Sequence, residues 1–137
     1  MKEAVQKLTD SILHLPQVEI EMQHHTMNGM YARTCKIPAG VVITGCTHKT
    51  DHISIINGHA RLTIGDSVEE LEGYNVLPTN KGMTRAIYAI SDVYFTAICK
   101  TDKTELADIE DDLVEEAAML QTRNPAMSVN KQILIGA

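Results

Sequence analysis

The sequence has 137 residues, 44% of them hydrophobic, and a net charge of -6 at pH 7. This length and composition fill one hydrophobic core and predict a single domain. The acidic balance argues against a nucleic-acid-binding surface, because phosphate backbones need a basic patch. The sequence shows no signal peptide or membrane-spanning apolar run, and its three cysteines lack C-x-x-C spacing, so we expect a cytoplasmic protein without membrane partners.

The spacing of hydrophobic residues predicts a helix followed by a set of strands. In residues 1–16, apolar positions recur every three or four residues, which predicts an amphipathic helix over 2–15 that ends at Pro16. From 17 to 101, short alternating strands are separated by glycine- and asparagine-containing turns, as is typical of a β-sandwich or barrel. The connections are too short for crossover helices, so a parallel α/β sheet is disfavoured.

The C-terminal part of the chain is predicted to begin with an acidic helix. Within residues 102–123, the segment 102–105 resembles a capping box, and the apolar stripe after it predicts a helix from 104 to about 122. The acidic residues in its first turns interact favourably with the positive, N-terminal end of the helix dipole. The tail, 124–137, contains an apolar triplet at 133–135 that is too short for a helix and predicts an edge or intersubunit strand.

A glycine-bounded stretch, residues 40–58, holds three candidate metal ligands. Cys46 and His48 are one residue apart, Asp51 follows them, and Gly58 lies in the next turn. The spacing resembles the metal-binding motif of cupin barrels, in which two histidines and an acid are ligands, with the cysteine at the first histidine position. Thiol, imidazole and carboxylate donors together suit iron, nickel, manganese or zinc.

The second motif of that family normally ends in a further histidine ligand, but the matching segment here, 78–85, ends in Arg85. A guanidinium cannot ligate a metal, because it stays protonated and has no lone pair to offer. The sequence therefore leaves open whether the pocket holds a metal or an anion.

Several short motifs extend this likeness from residue 17 to about residue 112. They are Gln17-Val18-Glu19, His24-His25, Tyr31-Ala32-Arg33, Ile37-Pro38-Ala39-Gly40, Thr44-Gly45, His48-Lys49-Thr50-Asp51-His52, Gly82-Met83-Thr84-Arg85-Ala86 and Tyr88-Ala89. Together they resemble the small single-domain cupins common in bacteriophage and prophage genomes. The resemblance implies an all-β fold, a single cupin (double-stranded β-helix or jelly-roll) barrel with flanking N- and C-terminal α-helices, located in the host cytoplasm if the gene belongs to a phage.

Strand alternation predicts which polar side chains enter the barrel, because successive residues of a strand face opposite sides. Over 30–37 the bulkier apolar residues share a face with Arg33, which is therefore predicted to point inward. If Arg85 follows the motif position, it points inward as well. Asp51 shares a face with the isoleucines of its strand, and His52 lies on the opposite face.

Two inward arginines favour an anionic guest, since guanidinium binds carboxylate or phosphate through paired hydrogen bonds. We therefore expect a binding protein that captures a small anionic molecule, with a nucleotide signal as one candidate. The expected ligand-binding residues are Arg33 and Arg85 as charge clamps, His48 and Tyr31 as hydrogen-bond partners, and His24, His25 and Tyr88 as further contacts. The chain has four tyrosines, one phenylalanine and no tryptophan. Few rings can therefore stack on a base, which argues against a nucleotide as the ligand.

Three alternatives stay open at the level of sequence. In the first, Cys46, His48 and Asp51 are the ligands of a divalent metal in a cupin enzyme acting on a small anionic substrate. In the second, the arginines pair with internal acids and only tie strands together. In the third alternative the barrel is a non-catalytic structural or oligomerisation module, and in every case we expect a homo-oligomer. We favour binding without a cofactor over catalysis.

Overall fold

The computed structural model describes residues 1–123 and the short strand at 134–136. Helix α1 is followed by nine strands, a helix α2, two 3-10 turns and a last strand. Their bounds are α1 Lys2–Ile12, β1 Glu21–Met27, β2 Met30–Ile37, β3 Val42–Thr44, β4 His52–Asn57, β5 Ala60–Ile64, β6 Ser67–Leu71, β7 Tyr74–Thr79, β8 Ala86–Ala89, β9 Val93–Lys100, α2 Leu106–Leu113, the turns Ala117–Met119 and Gln121–Arg123, and β10 Leu134–Gly136. Within this part of the chain no helix is long and apolar enough to cross a bilayer.

The strands form two facing sheets, which confirms the predicted all-β barrel with helices at its ends. The larger sheet has the order β10-β1-β2-β9-β4-β7, and the smaller has the order β3-β8-β5-β6. Neighbouring strands are antiparallel, except that β10 runs parallel to β1. The core between the sheets is built from fully buried aliphatic residues, among them Ile37, Ile56, Leu62 and Val93. These residues alternate with outward ones along each strand, as the period of two requires.

The helices are shorter than the sequence predicts. Helix α1 ends at Ile12 rather than near residue 15. Helix α2 covers Leu106–Leu113 rather than 104 to about 122, and Val114 has extended backbone angles and pairs with His48 in an isolated β-bridge. The backbone bonds Lys49 N to Leu113 O (2.8 Å) and Glu115 N to Thr47 O (3.0 Å) hold this extended form. Tertiary pairing thus overrides the helical spacing of the sequence.

The predicted capping box at the start of α2 is wrong. The N-cap residue is Glu105, and its side chain makes no capping bond. The start of the helix is instead held by Thr101, whose hydroxyl donates to the carboxylate of Asp112 (2.7 Å) and accepts from the backbone N–H of Lys103 (3.2 Å). Thr101 therefore ties the segment before α2 to the last turn of the helix, and it does not replace the bonds that a capping box would supply.

Helix α2 and the turns after it close one end of the barrel. A second apolar cluster forms there, in which Tyr31 and Cys99 of the larger sheet pack against Ile109, Leu113 and Val114. Ile109 is 0% exposed, so this contact is a true core and not a loose surface patch. The barrel mouth thus lies beneath the C-terminal segment.

We predict that Gly58→Ala lowers the free energy of unfolding by roughly 2–3 kcal/mol in urea titrations. Gly58 has φ +138°, and an added Cβ would lie 2.7 Å from the backbone oxygen of Asp92. Gly65→Ala is the matched control, because its φ is +59° and no atom lies within 4 Å of the added carbon. The control should lose only about 1 kcal/mol, and equal losses in the two variants would contradict the close approach at residue 58.

Candidate functional site

A small cavity lies at the barrel mouth beneath α2. Tyr31, Arg33 and His48 line it from the barrel, and Ile109 and Glu110 line it from the helix. Its volume is about 10 Å³, enough for about one water molecule. The closed site therefore has polar walls on the barrel side and a mostly apolar cover.

Arg33 is carried into this cavity by strand alternation. Its neighbours on the same face of β2, Tyr31 and Cys35, are both buried, as predicted from the apolar pattern. The facing residue on β9 is Ala97, whose small side chain leaves room for the guanidinium. Within residues 1–123, the Arg33 side chain makes no hydrogen bond and no ion pair. A charged group thus faces the cavity without a protein counter-ion.

Arg85 also points into the barrel, but its donors are occupied. The side chain is 8% exposed and donates to the carbonyl of Thr63 and the hydroxyl of Thr79, both at 3.0 Å. Both acceptors are neutral, and burial lowers the pKa of this guanidinium. Asp51, one of the acids expected to neutralise an arginine, is exposed and accepts from the backbone N–H of Lys81 at 2.8 Å.

Two histidine rings stack at the mouth, and one of them was missed at the level of sequence. The centroids of His48 and His52 lie 4.0 Å apart with an interplanar angle of 27°. Burial, followed by the neighbouring His52 and Arg33, lowers the pKa of His48 to about 3, and burial also lowers the pKa of His52. Both rings are therefore neutral at physiological pH and offer nitrogen lone pairs or N–H donors.

Strand parity placed His52 and Asp51 on opposite faces of β4, and the structure shows which of the two faces is inward. In β4, His52, Ser54 and Ile56 are buried, whereas Ile53 is 46% exposed. The motif comparison placed Asp51 at the ligand position, although Asp51 shares its face with the outward isoleucines. Isoleucines lie on both faces of β4, so parity could not identify the inward face, and the inward residue is His52 rather than Asp51.

His24 and Tyr31 form a buried pair beside Arg33. His24 is 1% exposed, its Nδ1 lies 2.6 Å from the Tyr31 hydroxyl, and its Nε2 has no partner. Burial, reinforced by the positive charge of Arg33 and by His25, lowers the pKa of His24 to about 4. Burial raises the pKa of Tyr31 above its usual range. The pair is thus uncharged at neutral pH.

Two of the predicted contacts lie away from the cavity. His25 is exposed on the outer face of β1, because it follows the inward His24 in a regular strand. Tyr88 is 42% exposed on the outer side of β8, between the buried Ile87 and Ala89. The structure therefore brings together Arg33, Tyr31, His24, His48 and Arg85 inside the barrel and leaves His25 and Tyr88 outside.

The residues expected as metal ligands do not fit a three-ligand centre. Asp51 is exposed and engaged by a backbone N–H, and burial raises the pKa of the Cys46 thiol, which disfavours the thiolate that a metal needs. Arg33 adds positive charge near His48. In the described part of the chain, the His, Cys, Asp and Glu side chains close enough to share an ion lie elsewhere, at His59, Glu70 and Glu72.

The cover over the site is fastened to the barrel by side chains as well as by backbone. The backbone N–H of Thr47 donates to the carboxylate of Glu116 at 2.7 Å, and Lys49 Nζ donates to the carbonyl of Asp111 at 2.7 Å. Farther along, the carboxamide of Gln121 both donates to the carbonyl of Ile20 and accepts from its N–H. These bonds hold the segment 106–123 across the mouth.

The buried carboxylate of Glu110 belongs to this cover and is satisfied within it. Glu110 is 5% exposed, accepts from the hydroxyl of Thr122, and pairs with Arg123 at 3.3 Å. Its charge is thus compensated by the C-terminal turns, and Arg33 on the opposite wall remains without a partner among residues 1–123.

Solved structures with a similar fold have low sequence identity to this chain. A cupin superfamily protein from Desulfitobacterium hafniense DCB-2 matches over 67% of this chain and 86% of its own, with TM-score 0.51 and 16% identity. KdgF from Halomonas sp. matches over 66% and 86%, with TM-score 0.51 and 12% identity. The cupin domain of Schizosaccharomyces pombe Cnp3 matches over 64% and 67%, with TM-score 0.50 and 19% identity. No protein-family model and no curated protein sequence matches significantly.

We predict that the unfolding free energy falls as pH decreases from 6.5 towards 4, as measured by urea titration at several pH values. The unfolded His24 takes up a proton near its ordinary pKa of 6.5, whereas the folded residue does so only at about 4. Between these values the unfolded state binds more protons, so stability is full above pH 6.5 and is lost below it. Each such histidine contributes up to about 1.4 kcal/mol per pH unit.

The variant His24→Gln should flatten this pH profile, and His25→Gln, which changes the exposed neighbour, should leave it unchanged. A slope that is identical in the wild type and in His24→Gln would contradict the assignment of the neutral buried state to His24.

Proposed function

Since this chain folds as a single cupin barrel, we propose that it binds a small anionic molecule at the barrel mouth. The observation that carries the proposal is the Arg33 guanidinium, which lines the cavity beside Tyr31 and His48 without a counter-ion among residues 1–123. Arg33 is partly buried, and removing an unpaired charge from water is unfavourable. A carboxylate or phosphate removes this cost, because it accepts two parallel hydrogen bonds from one guanidinium.

The groups around Arg33 favour a ligand that has neutral polar atoms next to its charge. His24 and His48 stay uncharged at neutral pH, and the phenol of Tyr31 stays protonated. Neutral imidazole and phenol groups can each donate and accept a hydrogen bond, which suits hydroxyl, carbonyl or ring-nitrogen atoms of a small molecule. Arg85 adds positive potential while its own donors hold the strands together.

Size decides how such a ligand enters. The closed cavity of about 10 Å³ admits nothing larger than a water molecule, so binding requires displacement of α2 from the mouth. The ligand then takes the place of Ile109 and Leu113, so an apolar portion next to the anionic group favours binding. A nucleotide signal is the largest candidate of this class and needs the widest opening. The phage relationship and the host-cytoplasm location stay predictions, and we propose binding rather than catalysis.

We predict that Arg33→Ala weakens binding of the anionic ligand at least tenfold, as measured by calorimetric titration with a panel of phosphate, small carboxylates, sugar phosphates and nucleotides. The loss follows from removing a charge-assisted, two-point contact, worth about 1.5–3 kcal/mol. Arg33→Lys keeps the charge but not the planar fork, and it should recover affinity only in part.

Arg61→Ala is the matched control for this titration, because Arg61 is exposed on the smaller sheet and pairs with Glu70. It should bind the panel as the wild type does. No binding across the panel, or equal binding by Arg33→Ala and wild type, would contradict the proposal. Elemental analysis of the same protein purified without added metal supplies a second check, since near-stoichiometric metal that is lost in His48→Ala would favour the metal-dependent enzyme instead.

We predict that Glu116→Ala loosens the cover and raises hydrogen exchange of the Thr47 and Glu115 amides roughly fivefold. The substitution removes the carboxylate that accepts the Thr47 N–H, a bond worth about 1 kcal/mol. Association of the ligand should become faster by a similar factor, because opening precedes entry. The adjacent exposed Glu115→Ala serves as control and should exchange as the wild type does. Unchanged exchange in Glu116→Ala would show that this bond does not hold the segment closed.

A further inference from the structure

Three side chains that can bind a metal ion converge at the surface, at one end of the smaller sheet. They are His59, just before β5, Glu70 in β6, and Glu72, just after β6. Nε2 of His59 lies 3.0 Å from Oε2 of Glu70 and 3.3 Å from Oε1 of Glu72, and the three ligand atoms all lie within 4.8 Å of one another. None of these residues lines the cavity at the barrel mouth, so the cluster is separate from the anion site proposed above.

Strand register and backbone hydrogen bonds fix the positions of these residues. Ala60 pairs with Leu71, so His59 and Glu72, one position beyond this pair, face each other across β5 and β6. The backbone N–H of His59 donates to the hydroxyl of Ser91 at 3.0 Å, and its carbonyl accepts from the backbone N–H of Ser91 at 3.1 Å. An ion at this place meets ligands whose backbone is already held, so little ordering opposes binding.

Two carboxylates share one imidazole nitrogen, which leaves negative charge in the cluster. Nε2 of His59 carries at most one proton, so it donates a full hydrogen bond to only one of the carboxylates. Arg61 pairs with Oε1 of Glu70 at 3.1 Å, which leaves Oε2 of that carboxylate facing the imidazole. Among residues 1–123, the carboxylate of Glu72 forms its ion pair with His59 alone. With His59 neutral, two glutamates stand against one arginine, and a divalent cation compensates the remaining charge.

We propose that His59, Glu70 and Glu72 bind one zinc ion. Zinc takes imidazole and carboxylate ligands at about 2.0–2.2 Å, and ligand atoms on a tetrahedron of that size lie roughly 3.3 Å apart. The separations of 3.0 and 3.3 Å from Nε2 to the two carboxylates are close to this spacing, so binding needs only small shifts of exposed side chains. Calcium takes oxygen ligands, whereas imidazole suits zinc and other transition metals.

The ion fastens the start of β5 to the end of β6, which is an edge strand of the smaller sheet. A cation that binds only the folded chain stabilises it by mass action, so zinc raises the urea midpoint of the wild type. Arg61 acts against the ion, because its positive charge lies beside the Glu70 carboxylate. Removal of this arginine therefore strengthens zinc binding, although it breaks an ion pair of the metal-free protein.

The test is a titration of the full chain with zinc chloride, in which a chromophoric chelator reports the free ion. The wild type should bind one equivalent. Glu72→Gln should weaken binding at least about tenfold, since even groups that only support a ligand contribute that much. Glu69→Gln changes the exposed neighbour of Glu70 on β6 and is the matched control, which should bind as the wild type does. Arg61→Ala should bind several-fold more tightly.

Absence of zinc binding by the wild type overturns the proposal, and so does equal binding by the wild type and Glu72→Gln. Calcium bound as tightly as zinc also overturns it, because charge attraction without imidazole ligation would then explain the result. The Glu72 side chain is 74% exposed, so its exchange leaves the core intact, and a circular dichroism spectrum checks this. Zinc should raise the urea midpoint of the wild type and not that of Glu72→Gln; equal shifts in both would place the ion elsewhere.

Discussion

One guanidinium, that of Arg33, which has no counter-ion among residues 1–123, sets the conditions at the barrel mouth. Arg33 is directed inward because it shares a strand face with Tyr31, Cys35 and Ile37, whose burial the fold cannot give up. Once there, its positive charge adds to burial in lowering the pKa of His24 and His48, so both imidazoles are neutral in the folded protein. The polar mouth is therefore a consequence of packing a charged residue in the middle of an apolar row.

The segment that covers the mouth combines apolar residues with one buried acidic residue that does not pair with Arg33. Ile109 and Leu113 bring apolar surface over the cavity, while Glu110 turns its charge to Thr122 and Arg123. The cover thus lies over Arg33, which stays partly exposed, and does not bring a carboxylate to it. The Glu116 bond to Thr47 is one of the contacts that hold this cover in place.

Features of the fold and the site that depend on residues close together in the sequence could be predicted, and features that depend on distant segments could not. The strands, turns and inward face of β2 follow from alternation within a few residues, so the sequence predicts them well. The end of α2 does not, because it is set by bonds between Leu113 and Lys49, which are far apart in the chain. The inward position of His52 was not readable from the sequence, because parity set it opposite Asp51 and isoleucines lie on both faces of the strand. The partner of Thr101, Asp112, likewise becomes visible only when the chain is folded.

The inner and outer faces of the two sheets carry different kinds of residues. The inner faces and the mouth hold Arg33, His24 and His48, whereas the outer faces differ in polarity, as the exposed Arg61 of β5 and Ile53 of β4 illustrate. Neither outer face touches the cavity, so what happens on one surface is set apart from the chemistry at the mouth.

The C-terminal turns are fastened to the backbone of Ile20 by one side chain, that of Gln121. The carboxamide imitates a peptide unit, donating and accepting as a neighbouring strand would, yet it belongs to one side chain. A single substitution at Gln121 can therefore release the C-terminal turns from Ile20, just before β1, without altering any polar group that lines the cavity. How firmly this segment is held can thus change in evolution separately from the residues inside the barrel.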